Sequence, residues 1–280
     1  MANIRPFLKY AGSKYSIVNR IKELLPNGKR LVEPFVGSGS VFLNTNYDSY
    51  LLADSNAELI NLYQVLKTYG KGFVEYASKY FISITNNKEV YEYYKLQFNE
   101  IDLSNTSEHG RIAKAALFIY LNRHCYNGLY RVNSNNKFNV SFGKYKKPYF
   151  PKDELLKFQQ KLITSDVTLL CQDWQETLNQ VVVGDVVYCD PPYAPVSNTA
   201  NFTAYCQDLF TFEKQEKLFF TLKFLASKGV SSVISNSNNE QTRLLYEYAD
   251  KISEFEVKRT ISCRGENRSK AAELIACVGF

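Results

Sequence analysis

The sequence predicts an α/β domain whose sheet is interrupted by a helical and β-hairpin insertion. Short apolar strands alternate with helical stretches near both ends of the chain. The first strand, 30–35, runs into the glycine turn Gly37-Ser38-Gly39, and a second strand, 50–53, ends at Asp54. A strand, glycine turn, helix, strand and acid in that order are typical of a nucleotide-binding α/β domain.

The remaining elements divide the chain into three parts. Ser55 and Glu58 have the spacing of a capping box, and the stretch up to Leu121 is predicted to be mostly helical. Alternating residues on both sides of the turn cluster 133–136 predict a β-hairpin, 129–132 with 138–142. Beyond Pro151 the sequence predicts a helix at 154–162 and strands at 167–171, 186–189, 230–234, 253–262 and 274–278. We therefore expect a first part of the sheet domain at 1–55, an insertion at 56–150 and a second part at 151–280.

Composition narrows the class of protein. With 45% hydrophobic and 22% charged residues the chain is ordinary for a folded globular protein. Its apolar runs fall far short of the ~20 residues of a membrane span, and residues 1–5 lack an apolar signal core. The six cysteines show no paired spacing, which favours reduced thiols in a cytoplasm. The two histidines have no cluster of Glu or Cys around them, so we expect no metal site.

Positive charge is concentrated in one segment of the insertion. Residues 109–152 contain no Asp or Glu but hold nine basic and nine aromatic residues. Such a segment predicts a polyanionic partner, most simply nucleic acid, with some of the aromatic residues available for base stacking. A solvated basic face around a hairpin core is the alternative.

The tetrapeptide Asp190-Pro191-Pro192-Tyr193 directly follows a predicted strand. Two prolines fix φ and remove two backbone donors, so their carbonyls are rigid acceptors. A carboxylate on one side and an aromatic ring on the other complete a site for a planar base with an exocyclic amino group. An ordinary Pro-Pro turn after a strand is the simpler interpretation.

The glycine turn indicates the second ligand. A dinucleotide site would need a third glycine where Phe42 stands, and a Walker loop is absent. Asp54 could accept hydrogen bonds from ribose hydroxyls. A nucleoside without phosphates indicates S-adenosylmethionine, although the glycines alone could serve a tight turn. Asp173 and Trp174 could flank the cofactor's adenine or simply pack.

Together these features predict methyl transfer to the exocyclic amine of a flipped base. Asp190 and the Pro191 carbonyl would accept the two amine hydrogens, Tyr193 would stack on the ring, and transfer would be a direct in-line displacement. Methylation at cytosine C5 is excluded because no proline precedes a cysteine. Cytosine N4, adenine in RNA and a non-catalytic DNA-binding protein remain as alternatives.

Several sequence motifs resemble the Dam family of DNA adenine-N6 methyltransferases almost from end to end. The matching stretches are 7–14, 32–44, 120–123, 126–129, 138–140, 143–149, 190–195 and 201–203. The resemblance implies a Rossmann-like S-adenosylmethionine methyltransferase sheet with a target-recognition insertion. It implies duplex DNA as the partner, at a GATC-like site. Separately, we expect a monomer in solution, with a dimer on DNA as an alternative.

The resemblance also implies roles for individual residues. Those expected to bind the cofactor are Tyr10, Lys14, Glu33, Phe35, Gly37, Gly39, Asp54 and Asp190. Lys9 and Arg131 would read the outer guanines, and Leu129 would contact a thymine methyl group. Tyr126, with Asn127 beside it, would fill the stack that the flipped adenine vacates.

Further DNA contacts are expected outside that core set. Lys144 and Tyr145 are assigned to DNA contact, and the run Lys144, Lys146, Lys147 is interpreted as phosphate-binding. Residues 198–205 would close over the flipped base. A basic cluster near the C-terminus would grip the DNA backbone: Lys258, Arg259, Arg264, Arg268 and Lys270. Four residues depart from the usual family motif: Tyr10, Ser13, Cys125 and Ser141. Tyr10 is still aromatic, so its cofactor contact is expected to remain, whereas Cys125 and Ser141 lie in the recognition hairpin and leave the DNA sequence preference less determined than the chemistry.

Overall fold

A computed structural model describes residues 2–193, 210–258 and 270–280, without the side chains of Lys258 and Lys270. Seven strands form one sheet: β1 (Arg30–Glu33), β2 (Ser49–Asp54), β3 (Asp166–Cys171), β4 (Asp185–Cys189), β5 (Ser231–Ser237), β6 (Lys251–Lys258) and β7 (Lys270–Val278). Their order is β3-β2-β1-β4-β5-β7-β6. Every neighbouring pair is parallel except those of β7, which is antiparallel to β5 and β6. The predicted α/β class is confirmed.

Helices cover both faces of this sheet. The α-helices are α1 (Val18–Leu24), α2 (Ser40–Asn44), α3 (Ala57–Ser78), α4 (Lys88–Glu100), α5 (Glu108–His124), α6 (Lys152–Thr164), α7 (Trp174–Leu178), α8 (Phe212–Ala226) and α9 (Glu240–Tyr246). Alternate residues of a strand point to opposite faces. Accordingly Val186 and Tyr188 join one buried cluster with α1–α3, α5 and α6, whereas Val187 and Cys189 join a second with α7–α9.

The strand order explains where a ligand site can form. The chain moves outward from β1 through β2 to β3 and then returns to place β4 on the other side of β1. At such a reversal the connections after the two central strands diverge and leave a crevice at their carboxyl ends. The turn after β1 and the Asp190 turn after β4 therefore face the same crevice.

The inserted region differs from its prediction in one respect. Residues 125–142 contain two isolated antiparallel bridges, Val132 with Phe138 and Cys125 with Phe142, rather than the two continuous strands predicted at 129–132 and 138–142. The pairing ends at Asn139, whose amide donates to the Arg131 carbonyl at 3.1 Å but whose carbonyl accepts from the Arg131 guanidinium at 3.3 Å. The Arg131 side chain thus occupies the carbonyl that the Arg131 amide would use in a continued antiparallel ladder.

The start of α3 also differs from its prediction. Asn56, not Ser55, is the N-cap, and its side chain accepts a hydrogen bond from the Leu59 amide. Glu58 instead accepts from the Tyr130 hydroxyl at 3.2 Å and lies 3.5 Å from the Lys114 ammonium. The helix therefore ties the sheet domain to the inserted region, and the boundary at 55–56 stays a prediction.

Two predicted DNA-contacting segments lie outside the described residues. They are the segment 198–205 and, in the C-terminal basic cluster, Arg259, Arg264 and Arg268. Among the helices that the structure describes, none is both long and apolar enough to cross a membrane. In the same part of the chain, no group of three or more His, Cys, Asp or Glu side chains could hold a metal ion.

Candidate active site

A cleft of about 530 Å³ lies at the carboxyl ends of β1 and β4. This size is within the range of about 300–1,000 Å³ that small-molecule sites occupy. Pro191, Pro192 and Tyr193 all line it. So do seven of the eight residues expected to bind the cofactor: Tyr10, Lys14, Glu33, Phe35, Gly37, Asp54 and Asp190. Residues far apart in sequence are thus brought into one concave site.

The glycine turn after β1 brings backbone and carboxylate together. Gly37 has a φ of +47° and Gly39 a φ of +68°, a left-handed conformation that favours glycine. The Gly37 amide donates to Asp54 Oδ2 at 3.1 Å, while the Asn56 amide donates to Asp54 Oδ1 at 3.0 Å. A Cβ on Gly37 would lie 3.2 Å from the Tyr10 ring. The close approach of Tyr10, Gly37 and Asp54 therefore requires glycine at position 37.

Gly39 lies behind the lining of the cleft. A Cβ there would lie 2.8 Å from Cε2 of Phe158, a buried residue of α6. Gly39 thus lets α6 pack against the turn, and its expected cofactor contact stays a prediction.

The Asp190 carboxylate contacts one charged and one polar side chain at the cleft. Its Oδ1 lies 2.7 Å from Lys14 Nζ and accepts a hydrogen bond from Ser235 Oγ at 3.1 Å. Lys14 Nζ also donates to the Gly12 carbonyl at 2.9 Å and lies 5.1 Å from the centre of the Tyr193 ring. Burial raises the pKa of Asp190, and the contacts with Lys14 and Ser235 oppose that rise.

Two further carboxyl groups, those of Glu33 and Asp54, line the cleft. Burial raises the pKa of Glu33 well above its usual value and raises the pKa of Asp54. Glu33 is only 2% exposed, and its Oε1 has no hydrogen-bond partner among the described residues. A buried carboxyl oxygen without a donor fits a cationic ligand. S-adenosylmethionine, which carries an ammonium and a sulfonium group, fits this set of residues.

Aromatic side chains form one wall of the cleft. Phe35 and Phe210 meet edge to face with ring centres 5.6 Å apart, and Trp174 lies 6.3 Å from Phe210. Trp174 and Asp173 line the cleft, so the cofactor-flanking alternative suits their position. Sequence reasoning missed Phe210 and Lys214, because a segment of polar and aromatic residues separates them from the Asp190 motif.

The residues expected to recognise DNA cluster around the turn 126–128. Lys9 Nζ lies 4.1 Å from the centre of the Tyr145 ring, and the Asn127 amide donates to the Tyr145 hydroxyl at 3.0 Å. Asn127 has a φ of +55°, which asparagine tolerates better than most residues. Tyr126 is 44% exposed. Lys9 precedes Tyr10 in the chain, so adjacent residues join this turn to the cleft.

The Asn122 side chain links Lys9 to the turn 126–128. It accepts from the Lys9 amide at 3.0 Å and donates to the Lys9 carbonyl at 2.7 Å and the Gly128 carbonyl at 3.2 Å. Among the other predicted residues, Leu129 is half-buried, whereas Arg131 and Lys144 are exposed. Arg131 donates to Asn139 Oδ1 at 2.7 Å. Asn122 is a structural link that sequence reasoning did not single out.

Comparison with known proteins decides the family. A family model described as D12 class N6 adenine-specific DNA methyltransferase matches residues 10–261. The chain belongs to this family. The match spans both the glycine turn and the Asp190 turn, so the two halves of the cleft belong to one methyltransferase.

Relatives similar over nearly their whole length support the same conclusion. A DNA adenine methylase of Serratia marcescens is 46% identical over 277 residues, 99% of each chain. DNA adenine methylases of Vibrio cholerae and Escherichia coli K12 are each 44% identical over 99% of this chain and 96% of theirs. This methyltransferase is therefore an enzyme of adenine-specific DNA methylation, as the Dam-family resemblance predicted.

Proposed function

We propose that the enzyme moves a methyl group from S-adenosylmethionine to N6 of an adenine flipped out of duplex DNA, within GATC. The observation that carries the proposal is the shared cleft, in which the glycine turn after β1 and the Asp190 turn after β4 face each other. Bound there, S-adenosylmethionine would supply an electrophilic methyl carbon on its sulfonium.

Each part of S-adenosylmethionine can be matched to cleft residues by the charge and shape of their side chains. Asp54 suits the ribose hydroxyls, because the amides of Gly37 and Asn56 hold its carboxylate in place. Glu33 suits the ammonium group, since its buried Oε1 needs a donor. Phe35 and Trp174 suit the adenine ring, as parts of the aromatic wall.

The target amine would be activated by two acceptors. Asp190 and the Pro191 carbonyl would accept its two hydrogens, so that the nitrogen turns its lone pair toward the methyl carbon. Tyr193 would stack on the extruded base, and flipping would cost a few kcal/mol. Catalysis would then come from positioning, without a covalent enzyme intermediate.

Sequence preference would come from the residues around the turn 126–128. Lys9 and Arg131 would read guanines, Leu129 a thymine methyl group, and Tyr126 with Asn127 would fill the vacated stack. Lys144 and Tyr145 would contact the backbone or support these residues. Each bidentate base contact gives about 1–3 kcal/mol of discrimination.

We further propose that the enzyme acts in the cytoplasm as a monomer in solution. The described cysteines 125, 171, 189 and 277 are free thiols. Free thiols and a DNA substrate fit a reducing compartment.

The decisive experiment measures methyl transfer from tritiated S-adenosylmethionine. The substrates are duplexes that carry GATC or a single-base change, and matched single-stranded RNA. The proposal expects label in adenine of the GATC duplex, with a loss of about tenfold or more for each changed outer base. Label in cytosine, or equal label on every duplex, would contradict it.

A further inference from the structure

The Asp190 turn is contacted from two sides by consecutive residues of β5, Ser235 and Asn236. Because successive strand residues point to opposite faces of a sheet, the two side chains reach different parts of the turn. Ser235 is 1% exposed and Asn236 is fully buried. Neither residue is among those expected from the sequence.

Ser235 restrains the carboxylate of Asp190. Its hydroxyl donates to Oδ1 at 3.1 Å and lies 2.9 Å from the hydroxyl of Tyr188. Burial raises the pKa of Tyr188 well above its usual value, so the phenol keeps its proton and can donate to Ser235. The single proton of Ser235 is then available to Asp190 Oδ1 at 3.1 Å, which is nearer than the other acceptor, the Cys189 carbonyl at 3.5 Å.

The consequence is an asymmetric carboxylate. Lys14 and Ser235 both approach Oδ1 of Asp190. Two contacts on one oxygen fix the rotation of the group and leave the other oxygen available to an amine.

Asn236 acts on the second proline through Gln215. Asn236 Nδ2 donates to Gln215 Oε1 and lies 2.9 Å from the Tyr246 hydroxyl. Gln215 Nε2 then donates to the Pro192 carbonyl at 3.2 Å. Because Asn236 takes the oxygen of the Gln215 amide, the amide nitrogen must face Pro192. The Pro191 and Pro192 carbonyls are separated by the φ and ψ angles of Pro192, and the proline ring fixes φ. Holding the Pro192 carbonyl therefore also restrains the Pro191 carbonyl.

We propose that Ser235 and Asn236 are positioning residues for methyl transfer. Ser235, supported by Tyr188, turns Oδ2 of Asp190 toward the target amine. Asn236, through Gln215, sets the direction of the Pro191 carbonyl. The inference rests on the proposed function, in which these two oxygens accept the amine hydrogens.

The first test compares two serines of the same strand. Ser235→Ala removes the donor to Asp190. Ser232→Ala is the matched control, because Ser232 is also fully buried on β5 and its hydroxyl has no hydrogen-bond partner among the described residues. Single-turnover methyl transfer at saturating cofactor and DNA should fall about tenfold to a hundredfold in Ser235→Ala, the cost of a hydrogen bond to a charged group. Ser232→Ala should keep the wild-type rate.

Two further readouts separate positioning from loss of structure. The affinity for S-adenosylmethionine and the fluorescence of 2-aminopurine at the target position, which reports base flipping, should stay at wild-type values in Ser235→Ala. Tyr188→Phe should lower the transfer rate in the same direction but less, because it removes only the support of Ser235.

The second test addresses the Gln215 contact. Gln215→Glu keeps the shape and the acceptor for Asn236 but replaces the donor to Pro192 with an oxygen. We expect slower transfer with unchanged cofactor affinity. Thermal unfolding checks that the variant folds, and Tyr246→Phe, which loosens Asn236 at its far side, provides a milder variant with the same expected direction.

A wild-type transfer rate in folded Ser235→Ala, or a loss that cofactor affinity explains entirely, would overturn the inference. Asp190→Ala, measured beside it, separates a failure of this inference from a failure of the proposed function. A wild-type rate in Asp190→Ala would reject the acceptor role in the proposed function and this inference with it. A wild-type rate in Ser235→Ala alone would reject only the inference.

Discussion

Lys14 Nζ lies 2.7 Å from Asp190 Oδ1, and this ion pair joins the N-terminal segment to the turn after β4. The Lys14 side chain is 6% exposed and that of Asp190 is 20% exposed, so water screens the pair only partly. Burial raises the pKa of Asp190, and Lys14 is the strongest influence against that rise. The charge state of the proposed catalytic carboxylate therefore depends on a lysine far away in the sequence.

Replacement of this lysine should shift the pH dependence of the enzyme. In Lys14→Met the pKa of Asp190 should rise further, so the carboxylate becomes protonated at a higher pH than in the wild type. Methyl transfer at pH 7 should fall by about tenfold or more, and the acid limb of the rate profile should move to higher pH. Lys22→Met, on the exposed side of α1, is the control. An unmoved acid limb would show that Lys14 does not act through Asp190.

Removal of the buried ionisable group at position 33 should stabilise the free protein. The pKa of Glu33 is raised by burial, so the folded state holds a proton that the unfolded state releases above its own pKa. Stability is then lost as pH rises above the unfolded value. Glu33→Gln avoids that loss, so its advantage in free energy of unfolding should be larger at pH 8 than at pH 5.

The same substitution should weaken the cofactor site. Glu33→Gln removes the carboxyl group proposed to meet the ammonium group of S-adenosylmethionine, so no carboxylate can form there when the cation binds. Urea unfolding and calorimetric binding, measured on one preparation, test both effects. A variant that binds the cofactor normally would remove Glu33 from the site.

Gly39→Ala should destabilise the fold, whereas Gly72→Ala should not. Gly39 has a φ of +68°, and a Cβ there would lie 2.8 Å from the Phe158 ring. Strain of this kind costs about 1–3 kcal/mol. Gly72 lies in α3 with nothing within 4 Å of a Cβ, so alanine there should stabilise by roughly 0.5–1 kcal/mol. Thermal unfolding of the two variants measures the contrast, and equal effects would contradict the packing role of Gly39.

Tyr126→Ala should impair base flipping without lowering stability. Tyr126 is 44% exposed, so little packing is lost when its ring is removed. The ring is proposed to fill the vacated stack, and base–aromatic stacking is worth about 1–3 kcal/mol. The 2-aminopurine signal at the target position should therefore fall, while the midpoint of thermal unfolding stays constant. Tyr149→Ala, at another exposed tyrosine of the same basic segment, is the control.

The sequence was most informative where apolar alternation and motif spacing coincide. Strand β4 and the Asp190 turn were predictable, because a fully buried strand reads as a continuous apolar run. The glycine turn was predictable because left-handed backbone conformations favour glycine. The hairpin was overpredicted, since alternation at 129–142 cannot show that the Arg131 guanidinium contacts the Asn139 carbonyl.

Partners that are distant in sequence could not be predicted. Ser235 lies in β5 and Gln215 lies in α8. The residue pattern of each element predicts the element itself and gives no sign of a contact with the Asp190 turn. Their contacts with the Asp190 turn depend on β5 lying beside β4. The sequence alone does not show that these two strands are adjacent in the sheet.

The most direct measurement is the position of the target N6 atom in a crystal structure with GATC duplex and a non-transferring analogue of S-adenosylmethionine. We predict that N6 lies within hydrogen-bond distance, about 2.7–3.2 Å, of Asp190 and of the Pro191 carbonyl. The adenine ring should stack on Tyr193. An adenine held in the cleft with N6 turned away from both oxygens would contradict the proposed function.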